Sequence, residues 1–130
     1  DFRLPGGKVF DSLNELDQHR ESGNDIAPIA EIAAKKEGKE EAGISGGEFT
    51  PIEISKAGAS VEWDLHYFIV KNSEIGEQEL EEHEQGDIET IILSAEEIFQ
   101  KLSQREIKEG RSADILWSWL QKNEFLQFKK

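Results

Sequence analysis

An α/β fold is predicted by three patterns in the chain. The first is a helical stretch from residue 27 to 42 that opens with Pro28 and stops at Gly43. The second is a period-two apolar run, Val61, Trp63, Leu65, Tyr67 and Ile69. The third is a pair of further helix signatures beginning at Ser94 and after Glu109-Gly110. The chain has 130 residues, long enough for one core and short for two, so a single domain is expected over 1–130.

In chain order, Leu4-Pro5-Gly6-Gly7 reads as an extended segment entering a glycine turn. Leu13 and Leu16, with Asp11 or Ser12 as cap and Glu15 in the first turn, predict a short helix closed by Gly23 and Asn24. The next helix starts at Asp25 or Ala27 and carries Ile29, Ile32, Ala33 and Ala34. Phe49 to Ile54 reads as a strand, with a turn at Ala57-Gly58. Residues 60–71 form the strongest strand pattern, and Phe68 and Val70 place apolar groups on its second face. An acidic loop, 74–87, continues toward a strand at Ile88 to Leu93. Ser94 with Glu96 and Glu97 then caps a helix bearing Ile98, Phe99 and Leu102, and the last helix bears Ile115, Leu116, Trp119 and Leu120. Phe125, Leu126 and Phe128 form a terminal apolar run.

Charge and composition narrow the function classes. There are 28 acidic residues against 15 Lys and Arg, for a net charge of -13, and no cysteine. Thiolate chemistry and cysteine metal sites are excluded. The negative field opposes nucleic-acid backbones and anionic membranes, so neither is expected as a partner. A phosphorylated small substrate stays open, because a divalent cation inverts the local sign of a carboxylate cluster. No apolar leader or membrane span is visible, which makes the cytoplasm the expected location. The chain contains no methionine, as a processed chain, a fragment or an altered gene product would.

The chemistry-bearing segment is Lys36-Glu37-Gly38-Lys39-Glu40-Glu41-Ala42-Gly43-Ile44. Helical spacing brings Glu37, Glu40 and Glu41 to one side, where each like-charge pair costs about 0.2–0.5 kcal/mol. A divalent cation would reverse that cost, and Mg²⁺ takes carboxylate and water oxygens. The alternative is a solvated helix with Lys35, Lys36 and Lys39 balancing its glutamates. Gly38 argues against it, since a mid-helix glycine costs about 1 kcal/mol relative to alanine and is expected where the helix packs closely on a sheet.

This segment resembles the end of the Nudix box, and Leu4-Pro5-Gly6-Gly7 resembles the entry to the same loop-helix-loop motif. The later acidic loop, the Ser94-Ala95-Glu96-Glu97 helix and the Glu109-to-Asp114 helix start are similar to the ADP-ribose and nucleotide-sugar pyrophosphatase branch. The resemblance implies an α/β/α sandwich with a mixed sheet, and Mg²⁺, or Mn²⁺ in its place, as cofactor. It implies Glu40 and Glu41 as principal metal ligands and Glu37 as the glutamate completing the cluster or acting through a bound water. Lys36 stands where the family has an orienting arginine, and the backbone at Gly6 and Gly7 would add a carbonyl ligand. A glutamate of the acidic loop would serve as a further ligand or base, with Glu81, Glu82 and Glu84 as candidates and Glu82 favoured. The implied reaction is cleavage of ADP-ribose or a nucleotide sugar to two monophosphates by metal-activated water, in a monomer or homodimer. A nucleotide-binding module without turnover, or a fragment of a larger enzyme, is the competing expectation.

Two departures from the family pattern stand out. Between Gly7 and Lys36 there are 28 residues, about twice the family spacing, so 8–24 reads as an insertion in the loop. Pro28 occupies the position where the family has a further glutamate. The strands that normally precede the motif are missing before Leu4, so either the parent chain is longer or the sheet has exposed edges.

Other residues carry weaker signals. His19, His66 and His83 lack zinc-ligand spacing, and His66 is expected on a strand surface. Ser60 and Ser112 lack a nucleophile motif. Trp63 and Tyr67 share a strand face and would either pack in the core or stack on a base. Trp117 and Trp119 are expected on different helix faces, one in the core and one at an interface.

Overall fold

The computed structural model describes residues 2–57, 63–81 and 88–123. These form a mixed α/β structure with the order α1 (Leu13–Ser22), α2 (Ala27–Ala42), β1 (Ile44–Ser45), β2 (Glu48–Ala57), β3 (Trp63–Lys71), β4 (Glu74–Ile75), α3 (Ala95–Ser103) and α4 (Gly110–Lys122). They group into two compact units, Pro5–Thr90 and a helical unit of Asp1–Leu4 with Ile91–Lys130.

The helix boundaries follow from local chemistry. Ser12 accepts the Glu15 N–H at the start of α1, and Gly23, at φ 71°, ends it. Pro28 lies in the first turn of α2, where its missing N–H costs nothing, and Gly43, at φ 67°, closes the helix. Ser94 and Glu97 form a reciprocal capping box on α3. At α4 the Glu109 carboxylate accepts the Ser112 N–H. Burial pushes the Glu109 carboxyl up, but hydrogen bonds from Ser112 and Arg111 and the Arg111 charge outweigh it and hold the group down to about 2.

Where one mixed sheet was expected, the described strands form two antiparallel pairs, β1 with β4 and β2 with β3. Both pairs belong to one interrupted hairpin. Ile44 lies opposite Ile75 and Ser45 opposite Glu74, and the same register resumes with Glu48 opposite Lys71. Positive φ angles at Gly46 and Gly47 on one arm and at Asn72 on the other break the ladder between them. A second irregularity falls between Pro51 and Glu53, where proline cannot donate to the ladder.

The strand expected at Ile88 to Leu93 does not form; these residues are irregular. The Ile88 carbonyl accepts from the Gln78 side chain, and Ile91 and Ile92 remain exposed, so no buried sheet face selects an extended pairing. Expectations for Gly58, Ser60, Val61 and the 125–128 run lie outside the described residues, as do Glu82, His83 and Glu84.

In the first unit α2 packs on β1 and β3, burying Ala30, Gly38 and Ala42, whereas Ile32 is exposed. α1 has no buried residue. The helical unit holds a buried hydrophobic cluster, Leu102, Ile107 and Leu120, with Phe2, Phe99 and Trp117 packed against it. Trp117 meets Phe99 edge to face, and Trp119 packs on the same cluster, so neither indole is set apart as an interface anchor. His66 is half-buried, with its Nε2 buried and without a hydrogen-bond partner, and is no simple surface residue. Among the described residues no helix is long and apolar enough to cross a membrane.

Candidate functional site around the carboxylate helix

The two halves of the sequence motif meet although 28 residues separate them. The Gly6 N–H donates to Glu41 Oε2 at 3.1 Å. At Gly7 the Glu37 carboxylate occupies the space that a Cβ would fill. Neither glycine adopts a positive φ, so Gly7 is required for proximity and not for an unusual backbone turn. Glu37 and Glu41 are one helical turn apart on α2, and this spacing lets both side chains face the same loop.

Glu40 and Lys36 lie elsewhere on the helix surface. Lys36 Nζ is 3.9 Å from Glu40 Oε1, an i,i+4 pair whose lysine side chain is 66% exposed. The lysine therefore engages a carboxylate on its own helix through a single long contact, without a planar fork. Lys39 approaches Glu79 at 3.7 Å in a similarly exposed pair.

Gly38 is buried, yet its nearest neighbour beyond the helix would be Ile44 at 3.8 Å from an added Cβ. This is ordinary contact distance, so α2 does not need glycine there to approach β1. Gly43 differs: besides its positive φ, an added Cβ would overlap the Gly76 carbonyl. Gly76 in turn donates its N–H to the Gly43 carbonyl at 2.7 Å, which joins the end of α2 to the start of the acidic segment.

That segment contributes residues the motif did not reveal. Glu79 N–H donates to the Glu40 carbonyl at 2.9 Å. Gln78 Nε2 reaches the Glu41 carbonyl at 2.6 Å, and Thr90 Oγ1 donates to the same carbonyl at 3.0 Å. An acidic run hides such a residue, because charge draws attention to its glutamates while the uncharged Gln78 makes the bonds. Glu77, Glu79 and Glu81 are exposed, as expected of this loop.

The donor set of Glu37, Glu40 and Glu41 beside a glycine backbone has the hard-oxygen chemistry that Mg²⁺ takes. Among the described residues no three His, Asp or Glu side chains are gathered around one point, so holding a shared cation requires these glutamates to rotate. The surrounding charge is concentrated here. Of the 28 acidic residues, 21 fall within Pro5–Thr90 with 7 of the 15 Lys and Arg, a net charge of -14 for this unit.

No protein-family model matches the chain, and no curated protein or solved structure aligns with it significantly.

Proposed function

We propose that the chain is a Mg²⁺-dependent pyrophosphohydrolase with a Nudix-type α/β/α architecture, acting on ADP-ribose or a nucleotide sugar. The observation that carries this reading is the meeting of Gly6 and Gly7 with Glu41 and Glu37. A glycine loop against a carboxylate pair is what the motif requires, and the 28 residues between Gly7 and Lys36 would not by themselves bring them together.

Glu37, Glu40 and Glu41 would hold the metal, with the Gly7 carbonyl beside them and Glu82 supplied by the acidic loop. When bound, the ion lowers the pKa of a water molecule and screens the charge of the pyrophosphate oxygens. Glu37 is the residue best placed to take the water's proton, because the absence of a side chain at Gly7 keeps its carboxylate close to the backbone. Glu40 and Glu41 repel the pyrophosphate on their own and would serve it only by holding the cation that neutralises it, and Lys36 pairs with Glu40. Cleavage of the phosphorus–oxygen bridge gives two monophosphates. A cytoplasmic setting, as a monomer or homodimer, accords with this substrate class.

A second reading, a nucleotide-binding module without turnover, draws on the Lys36–Glu40 pair, which already engages one proposed ligand. The two readings separate on a panel of ADP-ribose, a GDP-sugar, a UDP-sugar, a dinucleoside polyphosphate and a nucleoside triphosphate, each with Mg²⁺ or EDTA. Metal-dependent monophosphate release supports the hydrolase. Nucleotide binding by a folded chain with no product from any substrate supports the module.

A further inference from the structure

The last turn of α2 is finished by a separate segment of chain. Helix C-termini leave carbonyls without intrahelical partners, and these are usually met by a local turn or water. Here Gly43 N–H meets the Lys39 carbonyl in the usual way. The next two carbonyls, those of Glu40 and Glu41, are instead met by the Glu79 N–H and by Gln78 Nε2 with Thr90 Oγ1. The two residues whose backbone is held from outside are the two proposed principal metal ligands.

Gln78 is the centre of this arrangement. Its Nε2 lies 2.6 Å from the Glu41 carbonyl, 3.2 Å from the Ile88 carbonyl and 2.9 Å from Thr90 Oγ1. Two of these partners are carbonyls and can only accept, so the amide nitrogen must face them. Thr90 spends its hydroxyl hydrogen on Glu41 and accepts from Gln78, so the two amide hydrogens of Gln78 serve three acceptors and one of them is shared. Gln78 also ties residue 78 to residue 88, on the far side of the acidic segment, through the Ile88 carbonyl.

Building on the proposed metal-dependent hydrolase, we infer that Gln78 is a positioning residue, with Thr90 as its partner. Through the Glu41 carbonyl it fixes the end of α2 and hence the direction in which Glu40 and Glu41 leave the helix. Neither side chain touches substrate or metal in this scheme. Outer partners that orient metal ligands typically alter metal affinity or activity by about 10–100-fold when removed.

The test compares the full chain with Gln78→Ala, Thr90→Val and Thr90→Ser. Mn²⁺ affinity is read by electron paramagnetic resonance, and kcat and KM are measured on the best substrate of the panel. Gln78→Ala is expected to weaken Mn²⁺ binding and lower kcat by about 10–100-fold with KM unchanged. Thr90→Val moves both in the same direction, and Thr90→Ser, which keeps the hydroxyl, restores both. Wild-type Mn²⁺ affinity and kcat in Gln78→Ala overturn the inference while leaving the hydrolase intact. So does a defect in Thr90→Ser equal to that of Thr90→Val. A folded wild-type chain that neither binds Mn²⁺ nor turns over any substrate overturns the hydrolase reading itself and the inference with it.

Discussion

Replacing Gly7 with alanine separates the role of this loop in chemistry from any role in folding. The added methyl falls on the Glu37 carboxylate, overlapping its outer atoms. Those atoms belong to the end of a flexible, half-buried side chain, which can swing aside without moving backbone. An off-rotamer glutamate costs about 0.5–1.5 kcal/mol, so thermal stability should fall by no more than that. Gly7 has no positive φ, and no backbone strain adds to the cost. Glu37, however, is displaced from the position proposed for metal and water. Mg²⁺-dependent turnover should therefore drop by at least the 10–100-fold expected for disturbing a metal ligand's surroundings. The assay is kcat against Mg²⁺ concentration, beside a thermal melt. Gly38→Ala is the control on the same helix: its methyl meets Ile44 at 3.8 Å, and the gain in helix propensity should stabilise the chain by up to about 1 kcal/mol without loss of activity. Full activity in Gly7→Ala, or a collapse of stability with it, would show that Gly7 does not act by making room for Glu37.

Other consequences are equally direct. Gly43→Ala combines a left-handed backbone with overlap of the Gly76 carbonyl, so it should destabilise by about 2 kcal/mol or more in a denaturant titration and loosen β4 from β1. Leu120 is fully buried, and Leu120→Ala should cost about 2–5 kcal/mol, read as earlier unfolding of the helical unit. Glu109, held down to about 2 in the folded chain, contributes stability that is present above the unfolded carboxylate range and is lost as pH falls toward 2. Glu109→Gln should flatten that acid limb, as followed by circular dichroism of the helices. Saturating Mg²⁺ at about a hundred times its Kd should stabilise the wild-type chain by about 2.7 kcal/mol beyond NaCl of equal ionic strength, and Glu41→Gln should abolish the difference.

The helices were legible in the sequence because their ends are written in local chemistry. Ser12, Gly23, Pro28, Gly43, Ser94 and Glu109 each act within a few residues of themselves, so their identity is enough to place a boundary. β3 was legible from alternation, and β2 was read only in part, at Phe49 to Ile54, but their pairing partners were not legible. The breaks at Gly46, Gly47 and Asn72 divide one hairpin into two ladders, and periodicity carries no information about such interruptions. The 88–93 segment misled for a related reason: a short apolar run reads as a strand unless side-chain hydrogen bonds elsewhere claim its backbone, as Gln78 does. Gly38 was read as a close-packing residue on residue type alone, whereas the space around it accepts a methyl group.

At the candidate site, Gly7 and the α2 glutamates were visible through their motif. The Gln78–Thr90 pair was not, since it depends on contacts between residues 12 to 49 positions apart that no local pattern encodes.

In the proposed hydrolase, Glu37, Glu40 and Glu41, closed by Gly6 and Gly7, form a working metal centre for pyrophosphate cleavage. Its most direct test is the rate of AMP formation from ADP-ribose, or of nucleoside monophosphate from the preferred nucleotide sugar, by wild-type chain and Glu41→Gln with and without Mg²⁺. Product is expected only from the wild-type chain with Mg²⁺. Equal product from Glu41→Gln, or product undiminished by EDTA, would contradict it.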